Sequence, residues 1–141
     1  MSESQRILFL CTANSARSQL AEAILRDRVG NRMEVCSAGT HPSVVHPLAI
    51  EVLQEIQICT DGLWSKSVRD ALRDGPVSLT IAVCSSAAEN CPIVDGAQVR
   101  SWPFDDPAAC GEDLETQRQA FRFARDEIAS KIDSWLSTEG S

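Results

Sequence analysis

Arg6-Ile7-Leu8-Phe9-Leu10, running straight into Cys11-Thr12-Ala13-Asn14-Ser15-Ala16-Arg17-Ser18, is the stretch on which the fold turns. Its first half is almost wholly apolar, as suits a strand buried on both faces of a parallel sheet. From Ser18 onward Leu20, Ala21, Ile24, Leu25 and Val29 recur at helical spacing, and Gly30-Asn31 supplies a stop. The order is strand, loop, helix, with a cysteine opening the loop and an arginine closing it.

The same alternation continues along the chain. Residues 33–38 read as a second strand ending in Gly39. Residues 48–56 carry apolar side chains at 48, 49, 52, 53 and 56 in helical register, and Pro47 suits the first turn of that helix. Residues 79–83 are β-branched and apolar, and residues 99–102 form a weaker fourth strand before Pro103. Residues 114–136 form a long amphipathic helix with Phe121, Ala124, Ile128, Ile132 and Trp135 on one stripe. Alternating strands and helices predict an α/β layer fold with a mainly parallel sheet and a ligand site beyond the carboxyl ends of the strands. The loops after Leu10 and Val83 are therefore the places to look. At 141 residues, the length predicts that residues 1–141 form a single domain.

A net charge of −7 argues against nucleic acid or an anionic membrane as partner, since both demand clustered positive charge. Any anion site must then be locally positive. No apolar run approaches the roughly 20 residues of a membrane span, and the N-terminus leads directly into a strand rather than a signal peptide, so the expected location is cytoplasmic. In that setting Cys11, Cys36, Cys59, Cys84, Cys91 and Cys110 point to redox chemistry, metal or plain burial rather than a structural disulfide framework. The gap between Cys84 and Cys91, with no second Cys/His pair at ligand spacing, speaks against zinc. No metal and no cofactor are expected, and His41 and His46 read as surface residues.

A loop between a buried strand and a helix start lets successive backbone N–H groups converge on one anion, and the helix dipole adds to their field. Those groups, Arg17 and the Ser18 hydroxyl would favour the thiolate of Cys11. Arg17 also offers a planar fork to two oxyanion oxygens, which lysine would not replace. The plain alternative is a small apolar cysteine ending a strand and a solvated arginine, since Cys-x5-Arg is short enough to occur by chance. Its place at a strand-to-helix junction favours an oxyanion site made of Thr12, Ala13, Asn14, Ser15, Ala16, Arg17 and Ser18. The string Cys11-Thr12-Ala13-Asn14-Ser15-Ala16-Arg17-Ser18-Gln19-Leu20-Ala21-Glu22 resembles the phosphate-binding loop of the low-molecular-weight tyrosine phosphatase superfamily, most closely its thioredoxin-coupled arsenate reductase branch. The resemblance runs through most of the chain, including Ser37-Ala38-Gly39-Thr40. It implies a four-stranded, mainly parallel sheet flanked by helices, a monomer, arsenate as substrate with phosphate or sulfate as analogues, Asn14 bracing the loop, and Ser18 holding the thiolate.

Trp102-Pro103-Phe104-Asp105-Asp106-Pro107 places two carboxylates on a proline-bounded loop. Taken alone, such a pair is more often a solvated turn. The resemblance makes Asp106, the residue before Pro107, the general acid and leaves Asp105 without a role. Phosphatases of the superfamily carry aromatics after that Asp-Pro pair, whereas Ala108, Ala109 and Cys110 follow here and the chain has no tyrosine.

In their place stands Cys84-Ser85-Ser86-Ala87-Ala88-Glu89-Asn90-Cys91-Pro92, directly after the third strand. Spacing alone leaves a chance pair open. By resemblance it is the redox segment of the reductases. Cys84 would attack the arsenate adduct on Cys11, and Cys91 would then carry the disulfide outward to thioredoxin, with glutaredoxin or glutathione as other donors. Some members of this branch bind potassium through groups matching Asn14, Glu22 and Ser37 together with an Asp in the segment after the second helix. Lys66 stands at that Asp position, which predicts an ammonium paired with Glu22 and no potassium dependence; the alternative is an exposed residue at a helix start. A phosphomonoester hydrolase using Cys11, Arg17 and Asp106, and a non-catalytic oxyanion sensor, are the other function classes open at this point.

Overall fold

The computed structural model describes residues 5–73, 75–83, 98–109 and 111–139. Four strands, β1 (Gln5–Cys11), β2 (Met33–Gly39), β3 (Leu79–Ala82) and β4 (Gln98–Ser101), form one sheet in the order β2-β1-β3-β4. Every pairing is parallel. β1 is buried from Arg6 to Cys11, as its apolar run requires of a central strand. The chain leaves β1 for β2 on one side and returns to β3 on the other. That reversal opens a crevice beyond the carboxyl end of β1, where Cys11 pairs with Gly39.

Three helices pack on one another: α1 (Arg17–Val29), α2 (Pro47–Glu55) and α4 (Leu114–Glu139). The stripe of Phe121, Ala124, Ile128, Ile132 and Trp135 on α4 is buried in the core, as its spacing predicts. α4 also meets α2 through Arg122 with Glu55 at 2.7 Å and Arg125 with Glu55 at 2.9 Å. The Arg122 pair lies near the surface and sets orientation more than stability, whereas Arg125 is buried and also donates to the Val52 carbonyl at 3.0 Å.

Element boundaries fall within a few residues of those expected, and two elements are additional. α3 (Val68–Leu72) lies against β2, with Ser67 and Asp70 forming a reciprocal capping box at its start. Five residues are too few to show a helical period. A 3-10 turn (Pro107–Ala109) follows the acidic pair. No described helix is long and apolar enough to cross a membrane.

Phe121 is fully buried, and its ring lies 4.6 Å from that of His46, so it joins α4 to the start of α2. Phe121→Ala should cost about 3–5 kcal/mol, read as a lowered midpoint in urea unfolding.

Candidate anion-binding site

Cys11 ends β1 with its side chain buried, and its Sγ lies 2.9 Å from Ser18 Oγ. The Asn14 amide donates to the same sulfur at 3.2 Å. Ser18 Oγ accepts from Asn14 Nδ2 at 2.7 Å, which leaves the hydroxyl proton to point at the sulfur. Asn14 also donates to Ser37 Oγ at 2.9 Å and accepts from the Lys66 amide at 2.9 Å. Fully buried, with φ of 49°, Asn14 occupies the left-handed region that asparagine tolerates better than most side chains. It braces the loop in the way the resemblance implies.

Peptide planes decide where the loop's dipoles point. In a trans peptide the carbonyl of one residue and the N–H of the next point in opposite directions. The carbonyl of Cys11 accepts from Thr40 N, Thr12 from His41 N, Ala13 from Ser43 N, Ser15 from His46 N, and Ala16 from Leu20 N. Ser65 Oγ donates to the Ala13 carbonyl at 3.0 Å as well, and Gln19 Nε2 donates to that of Asn14 at 3.0 Å. A carbonyl tied off in this way turns the N–H of the following residue the other way, into the loop, and that of Asn14 reaches the sulfur. α1 adds its positive end, and its first turn carries no acid.

A buried charge lies behind the loop. Glu22, on α1, accepts from Ser37 Oγ at 2.7 Å and pairs with Arg26 at 2.6 Å. Lys66 Nζ lies 3.6 Å from the Glu22 carboxylate and donates to the Trp64 carbonyl at 3.1 Å. Lys66 is therefore a buried partner of Glu22, as expected, and not an exposed residue at a helix start.

Arg17 Nη1 donates to the Phe104 carbonyl at 2.9 Å, and Nη2 lies 3.9 Å from Asp106 Oδ2. The acid loop and the anion loop thus meet through the arginine. Asp106 Oδ1 accepts from the Ala108 amide at 3.0 Å, which fixes the turn that carries it. The reading of His46 as a surface residue needs correction. Half-buried, it caps α2 through Nδ1, stacks on Phe121, and gives its own amide to the loop. Burial holds its pKa below the ordinary histidine value, against the opposing pull of Asp106. His41 is exposed.

Thr12, Ala13, Asn14, Ser15, Ala16, Arg17 and Ser18 all lie in the loop or the start of α1, and Asp106 comes to its edge. Cys84, Cys91 and Cys110 lie outside the described residues. Cys36 is buried against the Ile7 carbonyl, and burial pushes its thiol up to about 11. It is packing, as its strand position suggested. Sequence reasoning gave no role to Gln19, Gly39, Ser65 or the amide of His46, although Gln19 and Gly39 stand in the two strings that carry the resemblance.

A family model described as low molecular weight phosphotyrosine protein phosphatase matches residues 6–139. An arsenate reductase of Halalkalibacterium halodurans is 35% identical over 133 residues, covering 94% of this chain and 95% of that one. A structure of an arsenate reductase in the phosphate binding state superposes with a TM-score of 0.77 at 26% identity, covering 95% of this chain and 98% of that one. The thioredoxin-dependent arsenate reductase of Corynebacterium glutamicum superposes at 0.74 and 27% identity over 97% of this chain, which spans 62% of that structure's length.

A Cβ on Gly39 would lie 2.6 Å from the Thr12 carbonyl oxygen and 2.8 Å from the Asn14 amide. Neither backbone atom can yield without moving the loop. Gly39→Ala should therefore cost about 1–3 kcal/mol and weaken phosphate binding, checked by calorimetry and thermal melts on one sample.

Proposed function

This chain belongs to the low molecular weight phosphotyrosine protein phosphatase family, and from that premise we propose that it is an arsenate reductase working through a thiol relay. The observation that carries the reading is the setting of Cys11, whose sulfur meets the Ser18 hydroxyl at 2.9 Å and the Asn14 amide at 3.2 Å in a loop closed by Arg17. The likeness to arsenate reductases across nearly the whole chain supports that chemistry over simple hydrolysis.

The Cys11 thiolate attacks arsenate, and Asp106 gives a proton to the departing oxygen, leaving a Cys11-S-As(V) adduct. Arg17 and the loop amides carry the charge of the arsenic-bound oxygens. Cys84 attacks the Cys11 sulfur, and the S–As electron pair passes to arsenic. Arsenite leaves, and a Cys11-Cys84 disulfide remains. Cys91 then attacks Cys84 and frees Cys11, and an external dithiol, thioredoxin by likeness to the Corynebacterium enzyme, reduces the Cys84-Cys91 disulfide. Such a relay needs a reducing compartment, and a cytoplasmic location belongs to this reading. The same Cys11, Arg17 and Asp106 also suit a phosphomonoester, so weak phosphatase activity belongs to this reading.

Only reduction needs the later thiols, and this separates the two activities in one molecule. Cys11→Ser should abolish both. Cys84→Ser should stop arsenate turnover while phosphatase activity persists. Cys91→Ser should release a single arsenite per enzyme molecule and trap the Cys11-Cys84 disulfide, identified by mass spectrometry. Full multiple turnover by either later variant would exclude the relay.

The Lys66 ammonium lies 3.6 Å from Glu22 and supplies the positive charge behind the loop. Equal reduction rates are therefore expected in potassium and sodium buffers of the same ionic strength. A rate that climbs with potassium would show that the ammonium does not fill that role.

A further inference from the structure

Of the six consecutive loop carbonyls from Cys11 to Ala16, five are held by main-chain amides, and Asn14 alone depends on a side chain, Gln19 Nε2 at 3.0 Å. The same nitrogen donates to the Trp64 carbonyl at 2.9 Å, so both amide protons of Gln19 are used. Its oxygen is buried with no partner among the described residues. A methionine would fill the same space without that unmet acceptor. What glutamine adds is a pair of N–H donors, one aimed at the loop.

We infer that Gln19 is a positioning residue for oxyanion binding, locking the peptide that joins Asn14 to Ser15 so that the Ser15 N–H faces the anion. This deepens the proposed function and rests on its oxyanion-binding loop. The locked peptide follows Asn14, whose φ of 49° lies in the sparsely populated left-handed region. Rotating that peptide by half a turn changes only ψ of Asn14 and φ of Ser15. The flip would withdraw an N–H from the anion and present a carbonyl oxygen in its place, replacing attraction by repulsion. By contrast, the carbonyl of Ala13 has the Ser43 amide at 3.0 Å besides the Ser65 hydroxyl at 3.0 Å, so that plane survives the loss of a side chain. It is the Ala13 plane that aims the Asn14 amide at the sulfur, at 3.2 Å. Gln19 therefore governs the anion and not the thiolate.

The test uses the full chain and inorganic phosphate as probe. Gln19→Met should weaken phosphate binding about ten- to hundredfold, the scale of one hydrogen bond to a charged group. It should leave the pH profile of Cys11 alkylation by iodoacetamide, followed on the Cys11 peptide by mass spectrometry, as in the unaltered chain. Gln54→Met, the comparison variant on the exposed face of α2, should bind phosphate within about twofold of it. In the unaltered chain the Ser15 amide proton should move downfield as phosphate is added, a reading that does not depend on how the variant folds. Unchanged phosphate affinity in Gln19→Met, a Cys11 profile that shifts along with it, or a Ser15 amide unmoved at saturating phosphate would overturn the role of Gln19. No phosphate binding by the unaltered chain would overturn the oxyanion reading itself.

Discussion

A buried cysteine sulfur and a close set of backbone amides can share one small loop only if the surrounding peptide dipoles turn the same way, and a chain in a tight turn has no intrinsic reason to do so. Here the constraint is met from outside. Donors from residues 40–46, from Ser65 and from the first turns of α1 tie down the carbonyls of residues 11–16, and the amides are left to face inward. The sheet supplies the stage for this, since Cys11 and Gly39 end neighbouring strands at the same level and bring the two loops into register. The absent side chain at Gly39 lets the backbones touch.

Charge is arranged on the same principle. The protein carries −7 overall, yet the loop is served by Arg17, the amino end of α1 and a buried cluster in which Lys66 and Arg26 answer Glu22. A buried carboxylate left alone behind the loop would carry an uncompensated desolvation cost. Paired with two cations and the Ser37 hydroxyl, it instead orients Ser37, which in turn accepts from Asn14. The polar chain from Lys66 to Cys11 passes through side chains with few unused donors.

The arginine gives the site its link to the acid loop. Arg17 touches the Phe104 carbonyl and approaches Asp106, so the loop after β4 is positioned from the anion side as well as by its own turn. His46 ties α2 and, through Phe121, α4 to the same loop. The long C-terminal helix thus takes part in holding the loop through the Phe121–His46 contact.

Local pattern determined much of this by itself. An apolar run reads as a central strand because it cannot be exposed on either face, and a helical stripe from Phe121 to Trp135 reads as core because its period leaves one side dry. Cys11, Arg17 and Ser18 were legible because they sit within one short loop whose flanking elements orient it. Tertiary structure alone decided the rest. Gln19, Ser65 and His46 act on the loop from positions up to 52 residues away, and such partners are set by which segments the sheet order brings together, whereas the place of Lys66 beside Glu22 was implied by the resemblance. Short elements such as α3 stay hidden for a related reason: five residues hold too little periodicity to be read, and contacts with β2 and a capping box stabilise them.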